Sequence, residues 1–112
     1  MIEKSQLQEM FENIRAKTNW NIGGNMVWGY FFTGPNAKAL DAPSKELLKM
    51  GYMVISVYPA DDNSTYWLHV EKIETHSVES LFQRNSELGR LASKYKAVEY
   101  DGMDVGPVTK EK

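Results

Sequence analysis

Two β-rich runs separated by a short polar turn constrain this chain more than any other feature. "YMVISVY" (52–58) and "TYWLHVEKI" (65–73) are both dominated by β-branched and aromatic residues. Between them stands "PADDNS", which is turn chemistry throughout. A loop of about six residues cannot carry a parallel crossover, so the spacing predicts an antiparallel hairpin. The rest of the fold has to be arranged around it.

Helical periodicity flanks the hairpin on both sides. Leu7, Met10, Phe11 and Ile14 recur at i, i+3, i+4, i+7 and predict a helix over about 5–17, with Ser5 and Gln8 as a capping box. "TNWNIGGN" breaks that pattern and predicts a loop, with Trp20 and Ile22 folded back onto the core. "MVWGYFF" (26–32) reads as an aromatic strand with two apolar faces. A second helical stretch runs over 36–50 with Leu40, Pro43, Leu47 and Met50 on one stripe. Pro43 is tolerated only in a first turn, so this helix is expected to kink or to begin near Asp41, and Gly51 to stop it. The longest helix is expected over about 78–95, with Ser77 as N-cap and Val78, Leu81, Phe82, Leu88, Leu91, Ala92 and Tyr95 inward. "AVEYDGM" is a last strand, and 106–112 is expected to be a frayed tail.

The resulting order is a helix followed by β-α-β-β-α-β. It predicts an α+β, ferredoxin-like βαββαβ fold: an antiparallel sheet with two helices on one face, plus the N-terminal helix. The 112 residues, 42% apolar and 25% charged, suit one domain over 1–112, with its βαββαβ core at about 26–105. No run approaches the ~18 apolar residues of a membrane span, and the N-terminus lacks an apolar run behind a basic one. A cytoplasmic protein is therefore expected, with no membrane partner.

Strand alternation assigns the side chains to faces. Tyr66, Leu68 and Val70 are expected to face the helices, as are Met53, Ile55 and Val57, and Val98 with Tyr100. The open face then carries Trp67, His69, Glu71, Glu99, Asp101, Tyr52 and Tyr58, with Asp104 close by in the acidic stretch at 99–104. Such a surface is either solvated sheet, partly covered by the N-terminal helix, or a protein-binding face. In the second case Tyr and Trp would anchor a partner and the carboxylates would steer a basic one.

Other chemistry finds less support. The chain has no cysteine, which excludes disulfides, thiol catalysis and the commonest structural zinc ligands. His69 and Glu71 share a strand face about 7 Å apart along the chain, too few groups for a metal. No metal and no cofactor are expected. His76, just before a helix, reads as surface. A hydrolase or metal enzyme using His69, Glu71, Glu99 and Asp101 is the alternative from a different class. RNA recognition modules share the element order, but net charge is −2 and the carboxylates would repel phosphate, so no direct nucleic-acid contact is expected.

One resemblance sharpens the reading. "YWLHVEKIETHSVESLFQRNSELGRLASKYKAVEYDGMD", with Tyr100-Asp101-Gly102 in its last strand, and "GYFFTGPNAKALDAPSKELLKMGYMVISV" before it, resemble the bacterial-type family of the regulator of ribonuclease E activity B. It covers about residues 26–105. Met103 stands where the family often has Trp, and the chain ends in "TKEK" where the named regulator has an extended acidic segment. The resemblance implies a small α+β protein without catalytic residues that binds and inhibits an endoribonuclease. A compact acidic domain of this kind could equally be an immunity protein for a nuclease toxin. The expected partner in either case is a basic protein, and the oligomeric state is left open.

Overall fold

In the computed structural model, which describes residues 2–108, three α-helices pack with a four-stranded, wholly antiparallel open sheet. Helix α1 (Lys4–Lys17) is followed by β1 (Met26–Gly34), a 3₁₀ turn (Lys38–Leu40) and α2 (Asp41–Lys49). Then come β2 (Met53–Pro59), β3 (Tyr66–Glu74), α3 (Val78–Ser93) and β4 (Glu99–Pro107). Of the expected tail, Gly106 and Pro107 belong to β4, and residues 109–112 lie outside the described residues.

The helices form where periodicity and capping agree. In α1, Leu7, Phe11 and Ile14 are buried, but Glu3 is the N-cap and exchanges a capping box with Gln6, so the start lies upstream of the expected Ser5. Pro43 sits buried in the first turn of α2, where its missing N–H costs nothing, and the 3₁₀ turn precedes it. Gly51 follows with φ +97°, the left-handed stop that glycine adopts freely. Ser77 caps α3 as expected, its side chain accepting from the Ser80 N–H.

The strand order is β2-β3-β1-β4. The hairpin pairs Met53 with Glu71 at one end and Pro59 with Tyr66 at the other. Central β1 pairs with β3 throughout and with β4 on its other edge. One buried cluster joins Trp28, Tyr30, Phe32, Leu68 and Val70 of the sheet to Leu7 and Phe11, Leu40 and Leu47, and Leu81 and Leu88 of the helices. Phe11 stacks on Trp28, with centroids 6.2 Å apart, and Lys4 reaches Glu79 at 2.6 Å. Helix α1 therefore lies on the same side of the sheet as α3 and does not cover the open face.

Two bulges alter the predicted faces. In β2 the register shifts between Val54 and Ser56, leaving Ile55 as an extra residue. Ahead of the bulge the alternation is inverted: Met53, expected in the core, is 59% exposed, while Val54 packs against the core. Ile55 and Val57, also expected in the core, are exposed along this edge strand. Tyr52, expected on the open face, is buried beside Tyr30 on the helix side. The second bulge lies between Phe31 and Phe32 of β1, where Asp101 is the extra residue on β4 and Gly102 takes φ +154°.

Candidate functional site

The uncovered sheet face is organised by β3. Register puts Phe31 and Ser56 on either side of His69, Thr33 and Tyr58 on either side of Trp67, and Gly29 and Met53 on either side of Glu71. On the far side of β1, Glu99 lies opposite Thr33, Gly102 opposite Phe31 and Asp104 opposite Gly29. Residues distant in sequence thus form one aromatic row bordered by carboxylates.

Phe31 is the centre of that row. Its ring stacks flat on the His69 imidazole, centroids 4.5 Å and planes 11° apart, and Trp67 meets it edge-on at 6.3 Å. His69 Nε2 approaches Glu71 Oε2 at 3.4 Å, and no hydrogen-bond partner for this buried nitrogen exists among the described residues. Gly29 leaves the space that His69 and Asp104 share. A Cβ at that position would lie 3.1 Å from His69 Nε2 and closer still to Asp104 Oδ1. Exposed Met53, Tyr58 and Ile73 extend the apolar surface outward. Tyr58 and Trp67, a cross-strand pair, also line a cleft of about 480 Å³ with Pro59, Ala60, Asp61 and Asp62 of the hairpin loop.

Of the residues picked from the sequence, Trp67, His69, Glu71 and Asp104 are brought together here, with Tyr58 at the hairpin end and Glu99 at the opposite border. Asp101, at its bulge, lines with Glu99 a separate cleft of about 510 Å³ that also touches Ile2, Gln6 and Asn85. Phe31, Gly29, Met53 and Ile73 were missed. The interruption of an aromatic strand by Gly29 was the one signal in the sequence that something approaches the backbone closely there. Met103 lies opposite Tyr30 and packs against the core, with its sulfur accepting from Asn85 Nδ2 at 3.3 Å.

A second cluster, half-buried on the helix side around buried His76, corrects the reading of His76 as a surface residue. The Glu74 carboxylate accepts from Tyr30 Oη at 3.0 Å, His76 Nε2 at 3.0 Å and Arg84 at 2.6 Å. Arg84 also donates to Tyr52 Oη at 2.8 Å, and His76 Nδ1 meets Ser80 Oγ at 2.9 Å. Burial pushes the Glu74 carboxyl up, but the hydrogen bond from His76 and the charge of Arg84 outweigh it and hold the group below its ordinary value. Burial holds His76 below its ordinary value despite the neighbouring carboxylate. His76 is therefore neutral at pH 7, and its contact with Glu74 is a hydrogen bond donated by Nε2–H. Burial also pushes the Tyr52 hydroxyl up to about 12. The Glu74 carboxylate and the His76 imidazole are engaged with one another and with Arg84 and Ser80. The arrangement latches the end of β3 to α3 and leaves neither group free to act as a base.

Among the described residues no group of three or more His, Cys, Asp or Glu is placed to hold a metal ion, and no helix is long and apolar enough to cross a membrane. No individual curated protein matches the chain in sequence. The model of the family described as RraB, regulator of ribonuclease activity B, matches residues 4–105, from the start of α1 to within two residues of the end of β4. The chain belongs to the RraB family.

Proposed function

We propose that the protein is a non-catalytic regulator that binds a ribonuclease through the open face of its sheet. The observation that carries this reading is the row Phe31–His69–Trp67, uncovered by any helix among the described residues and bordered by Glu71, Asp104 and Glu99. Large aromatic side chains at the centre of a patch supply most of the energy of a protein contact, and the charged rim governs encounter and orientation. The rim here is acidic, so the partner surface is basic. Membership of a family of ribonuclease regulators supports a ribonuclease as that partner, with ribonuclease E the first to test.

Catalysis is the weaker reading because its candidate groups are dispersed. His69 and Glu71 lie at the middle of the sheet, whereas Glu99 and Asp101 lie at the start of β4. The strand order β2-β3-β1-β4 and the packing of the helices on one side of the sheet support a ferredoxin-like description of the 26–105 core as a single domain. The test is binding of purified ribonuclease E to the protein and to Trp67→Ala, with inhibition of RNA cleavage as a second readout. The reading expects binding and inhibition to weaken together while the fold persists.

A further inference from the structure

The acidic-aromatic cleft at the hairpin end has a composition that selects one kind of side chain. Tyr58 and Trp67 face the same way as a cross-strand pair, and Trp67 is braced edge-on by Phe31. Asp61 and Asp62 project from a loop that is fixed by its own hydrogen bonds. The Ala60 N–H donates to Thr65 O at 2.8 Å, the Asn63 N–H to Ala60 O at 3.0 Å, and the Ser64 N–H to Asp62 Oδ1 at 3.0 Å. The Ser64 N–H bond is the largest cause holding the Asp62 carboxyl below its ordinary value, so it is ionised.

The molecule fills comparable positions elsewhere with its own cations. Lys72 and Arg84 sit over Tyr52, Lys4 over Phe82 and Arg15 over Phe11. Among the described residues, no lysine or arginine lies over Tyr58 or Trp67, and none pairs with Asp61 or Asp62. An apolar occupant would strip water from two carboxylates without replacing it. A planar guanidinium can stack on an indole face while its N–H groups meet a carboxylate, which a compact ammonium cannot do.

We propose that this cleft receives an arginine side chain of the protein partner and sets its register on the open face; the proposal rests on the reading of that face as a docking surface for a basic protein. The probe is a short blocked peptide, acetyl-Gly-Arg-Gly-amide, titrated against the ¹⁵N-labelled protein, with its lysine and citrulline counterparts as controls. The Trp67 indole N–H and the amides of 60–65 should shift with the arginine peptide. Binding should be about two- to fivefold weaker for lysine, and citrulline should give no saturable shift. Asp61→Asn should weaken the arginine response, and Trp67→Leu should abolish the shifts at 60–65. Equal responses to arginine and citrulline, or shifts located elsewhere, would overturn the arginine assignment. Ribonuclease E binding is measured in parallel on Phe31→Ala and Asp61→Asn. If Phe31→Ala weakens it and Asp61→Asn leaves it unchanged, the arginine assignment fails while the open-face reading stands. If neither variant changes it, both fail.

Discussion

The Phe31 ring lies flat against the His69 imidazole, 4.5 Å between centroids, although 38 residues separate the two in sequence and neither is fully buried. The pairing follows from the antiparallel register of β1 and β3, which sets them directly opposite each other. Trp67 closes the row from the same strand, and among the described residues no helix lies over it.

This arrangement separates binding from stability at Phe31. Because the side chain is only partly buried, Phe31→Ala should cost less than the ~3–5 kcal/mol lost when a fully buried Phe is truncated. Its effect on the ribonuclease contact should be larger in proportion, at least about tenfold in Kd, as for a central aromatic anchor. Denaturant unfolding and calorimetric titration of the same variant measure the two effects. A large stability loss with unchanged affinity would assign Phe31 to the fold alone.

A Cβ at Gly29 would displace the exposed Asp104 carboxylate, which can rotate away, and would press on His69 Nε2 at 3.1 Å, so Gly29→Ala should cost no more than about 1 kcal/mol, the low end for overpacking. Shortening the opposing side chain in Gly29→Ala/Asp104→Ala should return part of that loss. Urea midpoints of the two variants and of Asp104→Ala form the cycle that isolates the coupling.

Stability should fall on acidification in two windows. The folded-state value of His76 is depressed, so the unfolded chain takes up a proton first, and stability declines as pH falls from about 6.5 towards the folded value. Glu74 is also depressed, so its contribution is present above about pH 4.5 and is lost as pH falls through its folded value. Both signs make stability rise with pH. Tm measured from about pH 7.5 down to about pH 2.5 should drop in both windows, and His76→Gln should flatten the upper one.

The hairpin, the helical stripes and the inward face of β3 were legible because each follows one uninterrupted period: Leu7, Phe11 and Ile14 in α1, and Leu68 and Val70 in β3, are buried as the spacing predicted. The faces of β2 were not, since a single extra residue at Ile55 inverts the alternation on one side of it and moves Met53 outward and Val54 inward. β1 was ambiguous for a physical reason: as a central strand it packs Trp28, Tyr30 and Phe32 under the helices and Phe31 against His69. Asp104 joins the site through a strand that continues beyond the bulge at Asp101–Gly102. The Glu74–His76–Arg84 latch was invisible because it needs Tyr30 and Tyr52, brought together only by the sheet and α3.

If an acidic, aromatic sheet face captures a basic ribonuclease, the charges on its border govern how fast the two proteins associate at low ionic strength. Glu71→Gln/Glu99→Gln/Asp104→Asn keeps the shapes and removes three charges from the border of the Phe31–His69–Trp67 row. Stopped-flow association with purified ribonuclease E should be about tenfold or more slower than wild type at low salt, with a flatter dependence on salt and little change in Tm. A triple variant that associates at the wild-type rate at both low and high salt would show that the acidic border does not steer the partner.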